Sequence, residues 1–393
     1  MTRVPASLQW GLVMGLAAMA LVSAAHVGEF SPLPVTVLLD GWIIAFLLTT
    51  LWRSTLRAPM IVGLVGLYAT VTILTAWIAQ APAADFLQAY RWMLYLLVFA
   101  MAVGMQWTHK RLLVWLSWWL VSLATAKAVL TLLLFGPDQR PGLFLENNFE
   151  LALFSGLTAI IYRDAGRHRF LLVALLGALT ILAGSRSGAV AYLFLVIYAI
   201  IIADLRDPFL RFISVTVPAA VALLSFAIFQ DRSAESEVID RVRFFDLFLR
   251  ETQDWTLGTW VTGTPPMTPL SAATCTDLAF YEQLFSAGGA CYSVILHAFA
   301  MRLIFDAGLL GMVLVLLLPV LLLRRAGTSW TLTLTLSAIA VTNGLSVSGL
   351  NNPYVALPIL LAILLGGSTG SQPALAMQRI HVPRHMADRG RTP

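Results

Sequence analysis

The chain has 393 residues, is 59% hydrophobic and only 11% charged, with a mean hydropathy of +0.82. Soluble domains carry about 25% charged residues, which excludes a soluble fold, and the apolar runs do not alternate as the roughly ten-residue strands of a membrane barrel do. The net charge of +5 gathers in no long basic run or aromatic-basic patch outside the apolar stretches, so nucleic acid is not an expected partner.

An all-α polytopic membrane protein is therefore expected. Helices of about 17–25 apolar residues cross a bilayer, and about twelve are predicted. They lie near 9–28, 34–52, 59–80, 89–107, 112–135, 148–163, 170–185, 187–204, 210–229, 293–323, 329–348 and 353–368. The first follows a single Arg3 and ends in small residues. It is either a cleaved leader or a retained span, and the weakly charged start favours retention. With Arg3 inside and the spans alternating, the inner segments hold 16 of the 25 Lys and Arg and the outer segments seven, the bias expected of cytoplasmic loops. Asp40 and Lys127 fall within spans two and five. They form a candidate intramembrane pair.

The outer segment before span six reads "DQRPGLFLENN" and carries Arg140. Glu146, Asn147, Asn148 and Glu150 stand at the entrance of that span, placed either to hydrogen-bond sugar hydroxyls or to form a cap of Asn147 with Glu150 three residues on. Spans seven and eight meet at "ILAGSRSGAV", residues 181–190, with Arg186 at the tip. No acid adjoins it in sequence, and the flanking glycines let a bulky ligand approach the backbone.

Residues 230–292 form one large outer loop. Apolar residues at 238, 242, 245 and 248 or 249 recur at near-helical spacing, which predicts an amphipathic helix on the membrane surface between 237 and 250. The stretch 262–276, rich in Pro, Thr and Ser, is expected to be irregular. Cys275 and Cys291, the chain's two cysteines, form a disulfide if the loop faces an oxidising compartment; the alternative is two free thiols at a membrane edge.

Span ten opens with His297, which is expected at its outer end and on one helical face with Gly308, eleven residues on. Gly308 and Gly311 would allow close helix packing. Asp306 either pairs with Arg302 or supports another span. "GLSVSGLNNPY" is expected to be the last outer turn. The polar, basic end of the chain is expected to be a disordered cytoplasmic tail. The chain thus divides into nine spans over 1–229, a large loop over 230–292, three spans over 293–368 and a tail over 369–393.

Arg140, Arg186, Arg241, Arg243 and His297 all fall on one membrane face in this topology. A guanidinium forks onto phosphate oxygens, and a histidine accepts a proton near neutral pH. For any single arginine, lying beside lipid headgroups is an equal alternative. No Walker motif, Rossmann glycine pattern, metal-ligand spacing or Asp-x-Asp pair occurs, so no metal or other cofactor is expected.

Four segments together resemble the O-antigen polymerase/ligase superfamily of bacterial envelope glycosyltransferases. They are "RPGLFLENN", "GSRSG", "DRVRFFDLFLRETQDWTLGTW" and "HAFAMRLIFDAGLLG", and they cover roughly residues 140–311. Arg241 stands four residues before an aromatic, and His297 eleven before Gly308, as in that family. Ala298, Asp306 and Phe245 stand where the family has Asn, Glu and Trp. The resemblance implies a GT-C-like membrane fold in a bacterial inner membrane, with a site facing the periplasm. The donor it implies is an undecaprenyl-pyrophosphate-linked glycan. Arg186 and Arg241 would hold the pyrophosphate, and His297 would take the proton of the attacking sugar hydroxyl. Arg140, Glu146, Asn148 and Arg243 would bind substrate. A chain-length regulator and a flippase are the implied protein partners. The implied activity is a polymerase of O-antigen or exopolysaccharide repeat units, with a ligase transferring glycan to lipid A-core as the alternative. A transporter or flippase, the alternative of another class, would favour paired repeats and broken spans near the midplane; the two halves show no such symmetry.

Overall fold

A computed structural model describes residues 2–52, 57–136, 139, 142–202, 216, 240–279 and 290–366, with only the backbone of Asp240 and Arg241. Among them the α-helices are α1 (Ala6–Ala25), α2 (Val35–Leu51), α3 (Pro59–Ile78), α4 (Ala83–Ala102), α5 (Lys110–Phe135), α6 (Asn147–Ile161) and α7 (Arg169–Ala183). They continue with α8 (Arg186–Ile202), α9 (Asp240–Glu251), α10 (Leu257–Thr262), α11 (Ala272–Asp277), α12 (Phe299–Arg325), α13 (Trp330–Ser346) and α14 (Pro353–Gly366). One short parallel pairing joins Thr2–Arg3 to Met105–Gln106.

Five helices are long and apolar enough to cross a bilayer: α1, α3, α5, α7 with the 3-10 turn before it, and α12. Helices α2, α8 and α14 are apolar but shorter. A mostly helical, multi-pass membrane protein follows. The span expected near 210–229, the tail over 369–393 and Arg140 lie outside the described residues.

The packing separates a buried helix from lipid-facing ones. Every residue of α14 is buried, as a helix apolar on all sides must be when it lies at the centre of a bundle. It packs against α2, α4, α6, α12 and α13. A Cβ on Gly156 of α6 would stand 2.6 Å from the Pro358 ring, so the glycine sets the close approach of α6 to α14. By contrast, α3 exposes Met60, Leu64, Leu67, Val71, Trp77 and Ile78 along its length, the surface of a helix whose solvent is lipid.

Two helices are broken, and each break is filled by a distant segment. Helix α4 leaves helical geometry at Tyr90 (φ −115°, ψ 19°). The freed Trp92 N–H donates to Asn351 Oδ1 at 3.0 Å, and Gln88 O accepts from Asn351 Nδ2 at 2.7 Å. Ala89 O accepts from Arg302 Nη2 at 3.1 Å. Backbone groups freed inside a membrane need such partners. The "LNN" segment is thus a plug as well as a turn. Helix α12 breaks at Gly308 (φ 67°, ψ −178°), where Phe305 O accepts from Thr264 N at 2.8 Å and Thr264 Oγ1 at 2.9 Å.

Residues 240–279 and 290–296 build a small core of their own beside the bundle. Phe244, Leu247 and Phe248 of α9 pack with Leu270, Leu278, Ile295, Leu296 and Phe305. Cys275 and Cys291 are joined by a disulfide within that core, which settles the choice between a bond and two free thiols.

Candidate functional site

The hairpin of α7 and α8 is built by its glycine and serines. Gly184 takes a left-handed conformation (φ 57°) that ends α7, and Ser185 Oγ accepts from Gly188 N at 3.1 Å to start α8. Arg186 is the first residue of α8 and is half-buried. Asn148 Oδ1 accepts from Ser185 Oγ at 2.6 Å and Ser187 Oγ at 2.9 Å, so Arg186 is bracketed by two serines tied to the start of α6. Gly188 lies against Leu151, which lets α8 close onto α6.

The start of α6 is fixed from behind. Glu150 is buried, and its carboxylate accepts from the amides of Leu143 (2.7 Å), Phe144 and Leu145. A carboxylate taking three amides immobilises the loop that carries them. Buried Lys127 donates to Glu29 O at 2.7 Å and Leu143 O at 3.4 Å. The expected Asp40–Lys127 pair does not form, because Asp40 accepts from Arg91 at 3.2 Å and from Tyr95 OH at 2.5 Å. Nor is Asn147 a cap: Glu146 holds the N-cap position, exposed and without a side-chain cap bond, and Asn147 Nδ2 donates to Ala183 O at 3.3 Å.

A chain of hydrogen bonds runs from this hairpin through Asn148, Asn343 and Val347 to Phe299. Asn148 O accepts from Asn343 Nδ2 at 3.0 Å, and Asn343 Oδ1 accepts from Gly349 N at 3.1 Å. Val347 O, one turn beyond Asn343, accepts from Phe299 N at 2.8 Å. His297 lies two residues before Phe299. The starts of α6, α8 and α12 and the end of α13 therefore meet at one end of the bundle.

His297 is not on the helix. A 3-10 turn over Ser293–Leu296 precedes it and α12 begins at Phe299, so the span opening expected at 293 starts six residues later. His297 itself has φ 54° and ψ −46°, and Ala298 N donates to Leu296 O. That is a γ-turn of the strained hand, rare in proteins. Because the helix also breaks at Gly308, the shared face expected for His297 and Gly308 does not exist. Strain of about 1–3 kcal/mol persists only where the surroundings over-determine the conformation. Here the disulfide anchors Cys291, Asp306 Oδ2 accepts from Ser293 Oγ at 2.8 Å, and Val347 holds Phe299. Asp306 thus serves the turn before His297, while Arg302 is turned to the α4 break; the hydrogen bonds of these two side chains go to different partners.

Helix α9 meets the His297 ring through Phe244, ring centres 5.1 Å apart. Phe245, the aromatic four residues after Arg241, is exposed instead. Position 241 is one turn before Phe244, although its side chain lies outside the described residues. Arg243 is exposed and donates to Asp277 O at 2.6 Å. Among the described residues no group of three or more His, Cys, Asp or Glu side chains could hold a metal ion.

The structure therefore brings Arg186, Asn148 and the His297 turn to one end of the bundle, with α9 against His297. It leaves Glu146 outward-facing. Sequence reasoning missed Asn343, Ser293 and the role of Phe244. Asn343 alone had a signal, as an amide inside an apolar run. Compared with known proteins, the chain matches no family model and no curated protein.

Proposed function

We propose that the protein is a membrane glycosyltransferase that joins undecaprenyl-pyrophosphate-linked repeat units of an O-antigen or exopolysaccharide at the periplasmic face of a bacterial inner membrane, within a GT-C-like arrangement of about twelve spans. The observation that carries this reading is the hydrogen-bonded chain from the Arg186 hairpin through Asn148, Asn343 and Val347 to Phe299, two residues after the strained turn at His297. It brings the start of α8, which carries Arg186, and the segment that carries His297 to one end of the bundle, and a diphosphate headgroup would dock there. The disulfide supports an oxidising side for that end.

The acceptor sugar hydroxyl attacks the anomeric carbon of the donor glycan. A new C–O bond forms, the bond to the pyrophosphate oxygen breaks, and undecaprenyl pyrophosphate leaves with the electron pair. His297 takes the hydroxyl proton. Arg186 and Arg241 stabilise the charge developing on the leaving oxygen. Asn148 positions the hairpin, and Arg140 and Arg243 serve the glycan side of the site. Undecaprenyl pyrophosphate is an activated leaving group, so this chemistry calls for no nucleotide.

A ligase that moves finished glycan onto lipid A-core uses the same bond exchange. Chromatography of surface glycan from a deletion strain separates the two. Single repeat units on core or carrier identify a polymerase, and long chains stranded on the carrier identify a ligase. Unchanged surface glycan refutes both.

A further inference from the structure

We propose that α9 and α10 form an interfacial wedge sunk into the outer leaflet, so that lipid acyl chains, rather than water or a protein, cover the apolar faces these helices leave open. Burial and depth support this placement, and the glycan chemistry has no part in it.

Helix α9 has two apolar faces. Phe244, Leu247 and Phe248 pack into the disulfide core. Val242, Phe245 and Leu249, at i, i+3 and i+7, form a second stripe, exposed by 49%, 47% and 45%. Two of the charges lie on another face, where Arg243 and Arg250 both turn to Asp277, and exposed Asp246 borders the stripe on its Val242 side. One apolar face meets the core, one polar face meets the rest of the loop, and the third face is left open among the described residues. Helix α10 repeats the pattern, with Leu257 exposed by 82% and Val261 by 40%, four residues apart on one side. Water is a poor solvent for such a patch.

Depth identifies the solvent. The carbonyl of Val261 packs against Gly308, and Thr264 bonds to Phe305, so the end of α10 is fixed to α12 at the level of Gly308. Arg324, with its guanidinium 4.5 Å from the centre of the Trp330 ring, marks the opposite membrane boundary, because arginine and tryptophan gather at interfaces. At 1.5 Å per residue, Gly308 lies roughly 24 Å from Arg324, and the hydrocarbon core is about 30 Å thick. Gly308 is therefore below the outer edge of the acyl region, and α10 is docked at that depth. The exposed Leu309, Leu310, Val313 and Leu314 of α12 continue the same apolar surface toward the membrane interior. Trp255 and Trp260, half-buried with ring centres 5.3 Å apart, suit the headgroup level.

The test uses single cysteines at 245, 249 and 257, labelled with an environment-sensitive fluorophore in phosphatidylcholine liposomes. The two native cysteines are bonded to each other, so only the introduced thiol reacts, and a gel shift confirms that the bond is intact in each variant. Doxyl-labelled phosphatidylcholine is expected to quench all three labels more strongly than aqueous iodide, with emission shifted to the blue. Labels at Arg250 and Thr276 are expected to show the reverse order. Iodide quenching at 245 and 257 equal to that at 276 would overturn the proposal, as would protection from both quenchers, which marks a protein partner. Loss of glycan synthesis in any variant is a separate matter and bears only on the proposed enzyme.

Discussion

Replacing Gly308 with alanine tests the latch between the loop and α12. The residue has φ 67° with an extended ψ, a region that is essentially glycine-only and costs another residue about 1–3 kcal/mol. An alanine Cβ would also strike the Val261 carbonyl and come within 2.6 Å of Gly263 N, an overpacking that costs about 1–3 kcal/mol more. The chain can escape both by letting α10 lift from α12, so the loss falls on the latch and not on the bundle. At about 3 kcal/mol, the open population rises roughly 150-fold. The amide of Thr264, bonded to Phe305 O, reports that opening by hydrogen exchange. Gly308→Ala should exchange there roughly 150-fold faster, with α14 unaffected. Gly66→Ala is the control, because a Cβ at Gly66 meets nothing within 4 Å. Exchange at Thr264 unchanged in Gly308→Ala would refute the reasoning.

His297→Ala should abolish chain growth while the protein still inserts; full-length polymer from that variant would remove the base assignment. Arg186→Lys should lose most activity because an ammonium cannot fork onto two phosphate oxygens, and wild-type glycan yield would make the arginine purely structural. Asn148→Ala strips the shared acceptor from Ser185 and Ser187, each bond worth about 1 kcal/mol, and should lower thermal stability and glycan yield together; Asn148→Asp, which keeps an acceptor, should lower them less. Removing both cysteines with serine opens a loop of 16-residue separation and should cost about 3 kcal/mol, measured as faster proteolysis between 240 and 296.

Much of the helical layout was legible because membrane helices announce themselves as long apolar runs. The breaks were not. The run from Phe299 to Arg325 stays apolar across Gly308, and nothing in it reports a positive φ. The same blindness placed His297 on a helix face when it sits on a γ-turn. Helix α9 was legible as a helix but its faces were not: apolar pairs at 244/245 and 248/249 fit two stripes, and tertiary partners chose between them. Lys127 and Asp40 show a different limit. A charge in a span suggests a charged partner, yet backbone carbonyls satisfied the lysine and an arginine from α4 took the aspartate. At the candidate site, residues local in sequence, such as Ser185, Arg186 and Ser187, were visible, whereas Asn343 joins them only through the fold.

The break in α4 carries a consequence for biogenesis. Its three freed backbone groups are satisfied by Asn351 and Arg302, residues the ribosome adds more than two hundred positions after Tyr90. Until those arrive, the fourth helix must either stay straight or sit in the membrane with naked amides and carbonyls. Its native bend is thus a late event of assembly, conditional on the final helices, and a nascent chain stopped short of residue 351 is one that membrane quality control can tell apart from the finished protein.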